Sequence, residues 1–331
     1  MSTNSQPSDD QSQPSVGQSE ASNAATARRG LLLGLGSAVG YSAANLALRG
    51  LSGEHEDLAW AIWVSGMKAV PTVTLALLLL SRRKLRGETL YATIKPIPAL
   101  IAAGLLMHFG GNLGFQLALG HVGLAITVPL VFAFIISAGA ILGRVFVGDT
   151  VSRRTVVSIG VMMVSIILLS YAATASDDSS EQASGYAGGV AWMGLMFATI
   201  SGLAYGINGV ILRRVTRQVL PVESVLLVYS ATGLICLSAI GGVMLGTERL
   251  LSISQEQWLM MLCAGTFNAL AFFAITNALK LINITQVNVI NATQNAMCAV
   301  GAVMIFAEPM SVAMVVGIVL SIVGLVLLDR K

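Results

Sequence analysis

Ten apolar runs, each close to the length of one bilayer crossing, occupy most of this 331-residue chain. They fall at about 30–48, 58–81, 97–119, 122–143, 155–173, 188–212, 222–246, 257–279, 282–305 and 310–328. A helix needs about 20 mostly apolar residues to cross a hydrocarbon core roughly 30 Å thick. Backbone polar groups in lipid must be satisfied internally, and helices of this length do so. The charge content supports the same class. Only 11% of the residues are charged and 55% are hydrophobic, against about 25% charged in soluble domains. Such a chain cannot cover a water-facing surface, which excludes an ordinary soluble enzyme. The net charge of +3 is too small to argue for nucleic acid. Cys236, Cys263 and Cys298 lie inside apolar runs without a C-x-x-C spacing, so they read as small apolar fillers.

Two junctions are short. The breaks between spans three and four and between eight and nine rest on Gly120-His121 and Lys280, so a long kinked helix competes with two spans there. Residues 1–27, rich in Ser, Gln, Asn and Ala, lack an apolar run and read as a disordered cytoplasmic tail. Arg28-Arg29 ahead of Gly30 reads as a positive-inside anchor. With both termini inside, the inner segments hold 16 of the 19 basic residues: Arg28, Arg29, Arg82, Arg83, Lys84, Arg86, Lys95, Arg144, Arg153, Arg154, Arg213, Arg214, Arg217, Lys280, Arg330 and Lys331. Arg49 and Arg249 fall outside, and Lys68 lies within a span. That asymmetry predicts a multi-pass protein of the inner (plasma) membrane with cytoplasmic N- and C-termini. Trp60, Trp192 and Trp258 fall at outer span ends, where an interfacial belt would place them.

The chain also repeats itself at a period of about 160 residues. Tyr41-x7-Arg49 is echoed by Tyr205-x7-Arg213, and Ala118-Leu119 by Ala278-Leu279. Asp149 follows span four and Glu308 follows span nine, each leading to a glycine, Gly160 or Gly317, in a last apolar run. Five spans per half is an odd number, so the second half enters the membrane with opposite orientation. The expected fold is an all-α membrane protein of ten transmembrane helices arranged as two inverted five-helix repeats. Its boundaries are 28–173 for the first repeat, 174–187 for an extracytoplasmic linker and 188–331 for the second repeat.

Ten spans, five-helix repeats and an acid closing span four of each half resemble the drug/metabolite transporter superfamily, specifically its EamA-type transporters. Lys68 matches that pattern's internal basic residue of span two, and the two Ala-Leu pairs match its third-span ends. Gly148-Asp149 and Ala307-Glu308 stand where the pattern has Gly-Glu, each departing by one residue. The resemblance covers about residues 30–328 and implies a secondary transporter, with efflux as the expected direction.

Polar side chains inside spans are costly, so they mark candidate sites. A mid-span lysine costs about 2.5–3.5 kcal/mol on insertion scales, so Lys68 should face the interior, either in a cavity or as a structural tether. His108, Asn112 and Gln116 share one face of span three at a spacing of four. His108 is also the candidate for proton coupling, against a neutral hydrogen-bonding role. Asn268, Phe272 and Thr276 partly echo that stripe in the second half. In span nine, Asn288, Asn291 and Asn295 form an amide stripe whose first-half counterparts are Val128, Val131 and Ile135. Tyr41, Asn45, Tyr205 and Asn208 add polar groups to spans one and six. Gly36-x3-Gly40 and Gly202-x3-Gly206 read as helix-packing motifs. Asp149 and Glu308 read as structural caps or loop contacts.

No phosphate-binding loop, metal-ligand cluster or nucleophile elbow occurs in the sequence. The expectation is therefore no enzyme, no cofactor, no metal and no ATPase subunit. The partners are a small-molecule substrate and the lipid bilayer, with a homodimer left open and nucleic acid excluded. The chain is expected to move a small polar or amphipathic metabolite by alternating access. The alternative is a flippase for a polar-headed lipid carrier.

Overall fold

The structure, a computed structural model, describes residues 16–49, 58–90, 95–175, 188–218, 220–306 and 310–328. All regular structure among them is helical. The first half contains α1 (Val16–Arg49), α2 (Leu58–Met67), α3 (Val70–Leu85), α4 (Ile97–Leu105), α5 (Gly114–Leu142) and α6 (Arg153–Ala175). The second contains α7 (Gly188–Gln218), α8 (Val222–Leu251), α9 (Gln255–Leu281), α10 (Ile284–Ala292), α11 (Gln294–Phe306) and α12 (Val312–Leu327). Leu106–Leu113 and Gly143–Val147 are π-helical turns flanking α5. Six helical stretches among the described residues are long and apolar enough to cross a membrane, with shorter apolar helices at Ile97–Leu113 and Val312–Leu327.

Helix α1 begins at Val16, inside the segment whose composition suggests a disordered tail. Residues 16–27 include four alanines, the best helix former, and extend a helix already nucleated by the apolar run behind them. The rest of the expected tail and the linker residues 176–187 lie outside the described residues, as does Glu308.

The chain changes course at both short junctions. Gly110 packs on Ala204 and Gly114 on Phe197–Ser201 of α7, one segment rising in number as the other falls, and Gly111 lies against the Tyr205 ring. Gly202 and Gly206 of that same stretch pack on Val131–Phe134 and on Ile135–Ala138, now rising together. A straight helix rises 1.5 Å per residue and would place residues 111 and 138 about 40 Å apart. Gly114–Leu142 is therefore not one straight helix: α5 doubles back between Ala118 and Val131, which join Ala198 in one apolar cluster. At the second junction, Ile282 and Asn283 are extended, and a capping box between Asn283 and Gln286 starts α10.

The two halves interlock rather than fold side by side. Gly40 of α1 closes on Ala271 of α9, Gly66 of α2 on Ser238 of α8, and α5 on α7. Ser158 and Ser165 of α6 each donate a 2.6 Å bond to α12, to the carbonyls of Gly324 and Gly317. Leu77, Leu78, Val157, Val243, Val319 and Val326 remain exposed, as expected of helices whose outer faces meet lipid. Gly36 is the exception among the packing motifs, since a Cβ there would meet open space. Trp192 is exposed, whereas Trp60 is only 7% exposed and packs with Ala59, Val64, Leu245 and Met261 instead of standing in an interfacial belt.

Candidate functional site

Where the halves meet, a cavity of about 350 Å³ opens among α1, α2–α3, the π-helical turn, α5, α7, α8, α9 and α10–α11. It gathers Tyr41, Asn45, Lys68, His108, Asn112, Tyr205, Asn208, Asn268, Asn288, Asn291 and Asn295. Gln116 is the one sequence candidate not among them, and its side chain lies outside the described residues. Helical spacing put these residues on shared faces. Packing turned the faces toward one another.

The amide stripe of span nine and its aliphatic counterparts face the same space. Asn288 and Asn291 line one wall, and Val128, Val131 and Ile135 line another. Asn288 Nδ2 donates to the Ile135 carbonyl at 3.2 Å, and Ser37 Oγ donates to Asn291 Oδ1 at 3.0 Å. Asn295 Nδ2 donates to the Ala292 carbonyl at 3.2 Å, across the break at Thr293 that separates α10 from α11. Asn268 and Phe272 also line the cavity, while Thr276 is buried and bonded to the Phe272 carbonyl.

A second network fixes the opposite wall. The Tyr205 hydroxyl donates to Asn112 Oδ1 at 2.6 Å, which orients the Asn112 amide toward His108 Nδ1 at 3.2 Å. His108 Nε2 lies 3.3 Å from the Tyr229 carbonyl. An accepting Nδ1 and a donating Nε2 describe one neutral tautomer. The π-helical turn carrying His108 and Asn112 offsets them from regular helical register, a device frequent at functional sites. The Tyr229 hydroxyl donates to Asn208 Oδ1 at 2.8 Å. Tyr229 was missed by sequence reasoning, although Thr232 three residues on and the adjacent Ser230 give it polar neighbours in span seven that could have marked it. Ser65, Thr72, Ser230 and Gln294 line the cavity as well.

One end of the cavity is closed by a buried ion pair that the sequence hid. Arg213, counted by its sequence as an inner-loop base, is 2% exposed, and its Nη2 lies 2.7 Å from Asp149 Oδ1. Its Nη1 donates to the Leu279 carbonyl at 2.8 Å, and Nη2 also reaches Asn283 Oδ1 at 3.3 Å. Asp149 Oδ2 accepts the Ile284 N–H at 3.0 Å, capping α10 where the helix dipole favours an anion. Gly148, in a left-handed conformation at φ 76°, turns the chain out of the π-helical segment and delivers Asp149 to this position. Asp149 is thus a cap, as expected, and also the partner of a buried cation. Above this plug the lining residues Leu212, Leu279, Asn208 and Tyr229 are buried, whereas Asn45 is exposed and Asn268 and Asn295 are half-buried. The cavity is closed at the Arg213 end and open toward Asn45.

Residues 192–329 match the model of the EamA-like transporter family. A solved crystal structure is similar to this chain with a TM-score of 0.71 at 15% identity, covering 90% of this chain and 95% of that one. At that identity the likeness speaks for the fold. No curated protein matches the chain.

Proposed function

We infer that this chain, whose residues 192–329 match the model of the EamA-like transporter family, is a secondary transporter of the inner membrane with no catalytic role. It moves a small polar or amphipathic solute by alternating access between two inverted five-helix repeats, ten spans in all. The carrying observation is the cavity between interlocked halves, lined by amides and closed at one end by Arg213 and Asp149. Two similar halves of opposite orientation can exchange conformations, which gives a state open to each side. The basic segments gather at the closed end, where Arg83 pairs with Glu223 at 3.6 Å and Ser224 binds the Leu90 carbonyl. By the positive-inside rule that end is cytoplasmic. The cavity as it stands then faces outward, and transport requires the Arg213–Asp149 plug to part. Efflux is the direction suggested by the family resemblance.

The test is uptake and counterflow in proteoliposomes with a panel of radiolabelled metabolites. One soluble solute should be carried, and Asn291→Ala should abolish its transport at unchanged protein level. If no soluble compound moves while a labelled polar-headed lipid crosses between leaflets, the chain is instead a lipid flippase.

A further inference from the structure

We propose that the break between α2 and α3 is an anion subsite, and that the transported solute carries a single carboxylate seated on Lys68 and Thr72. This rests on the transporter reading and specifies its substrate class. Helix α2 stops at Met67 and α3 starts at Val70, with Pro71 in its first turn. Lys68 and Ala69 form the turn between them, and both line the cavity. The turn is a kink in one helical stretch, Leu58–Leu85, because the Lys68 N–H still bonds the Val64 carbonyl at 2.9 Å and Ala69 keeps helical dihedrals, so Thr72 lies mid-stretch, one turn beyond Lys68.

Two further observations point to a ligand there. Thr72 is 1% exposed and lines the cavity, yet its hydroxyl has no hydrogen-bond partner among the described residues. A mid-helix threonine ordinarily bonds the carbonyl four residues back. Here that carbonyl, of Lys68, is packed against Gly265 of α9, where an added Cβ would lie 2.9 Å from the oxygen. An unpaired buried hydroxyl is costly unless something else accepts its proton. The ammonium of Lys68 likewise has no ion-pair partner among the described residues. A lone cation one helical turn from a lone donor matches a carboxylate.

The rest of the lining narrows the charge. Its described residues include no Asp, Glu or Arg. One lysine balances one negative charge, whereas a phosphate dianion would call for the bidentate arginines that suit it. A cationic solute would meet Lys68 with nothing to offset it. Beyond the subsite, Asn288, Asn291 and Asn295 offer donors and acceptors at once, and Phe115, Phe132 and Phe272 offer apolar faces. The solute is therefore a monocarboxylate with a neutral, partly apolar body.

The test compares matched probes on the purified full-length chain: benzoate, benzamide and benzylamine; hexanoate, hexanamide and hexylamine; lactate and lactamide; and inorganic phosphate. Affinity is read from ligand-dependent thermal stabilisation. At least one carboxylate should bind 10-fold or more tightly than its amide and amine. Lys68→Met should weaken that carboxylate at least 10-fold, and the near-isosteric Thr72→Val severalfold, both leaving the unliganded unfolding temperature unchanged or higher. Equal binding of carboxylate and amide, undiminished affinity in Lys68→Met, phosphate binding as tightly as a carboxylate, or no carboxylate binding at all would each overturn the proposal. The transporter reading is judged separately. If amides are carried into proteoliposomes, the subsite fails and transport stands. If no soluble compound is carried, the broader reading fails too.

Discussion

Replacing Asp149 with alanine tests whether the closed end of the cavity is a buried ion pair or a wet surface contact. The carboxylate serves two buried partners: Arg213 Nη2 at 2.7 Å and the N–H of Ile284 at 3.0 Å. Its removal leaves a guanidinium in a site where Arg213 is 2% exposed, held only by the Leu279 carbonyl and Asn283. Breaking a buried pair on one side costs about 3–5 kcal/mol, because the remaining charge stays desolvated. An exposed pair would cost only about 0.2–1 kcal/mol. Adding Arg213→Met removes the stranded charge, so the double variant should be more stable than Asp149→Ala alone. The coupling should lie toward the upper end of the roughly 0.5–3 kcal/mol range seen for contacting residues. The assay is reversible unfolding in mixed micelles with increasing SDS, followed by the fluorescence of the four tryptophans. A loss below about 1 kcal/mol for Asp149→Ala, or additive single effects, would refute the argument. Under the proposed alternating-access cycle, cutting the plug should also raise labelling from the side on which Arg213 lies.

Two further outcomes follow from the geometry. A Cβ on Gly202 would lie 2.5 Å from that of Phe134 and 2.6 Å from the Val131 carbonyl, so Gly202→Ala should weaken the α5–α7 contact by about 1–3 kcal/mol in the same unfolding assay. Gly36→Ala meets open space and should gain about 0.5–1 kcal/mol from helix propensity; equal effects at the two sites would contradict the packing described. His108 uses both ring nitrogens as a neutral imidazole, so the pH profile of transport between about pH 5.5 and 8 should be unchanged in His108→Gln. A shifted profile would make this histidine a proton-coupling group after all.

The apolar runs, the polar stripes and the basic asymmetry are all periodic or compositional features, and each was legible without coordinates. Asn288, Asn291 and Asn295 share a face because 3.6 residues make a turn, whatever that face later meets. The same arithmetic grouped His108 with Asn112, and the glycines at 202 and 206. It could not show that Gly36 faces open space, that Trp60 is packed, or that α1 begins at Val16. Nor could it distinguish Arg213 from the other bases near the membrane edge, since a buried arginine and a loop arginine look alike in a string of letters.

Sequence by itself determined the class of the molecule and which side chains pay to be in the membrane, because hydrophobic length and helical period are local properties. Tertiary structure alone decided their partners. Asp149 and Arg213 stand 64 residues apart and His108 and Tyr229 stand 121 apart. A buried polar group must find its hydrogen bonds wherever helix packing brings a complementary atom, and that choice is made by the meeting of two halves, not by spacing along one helix.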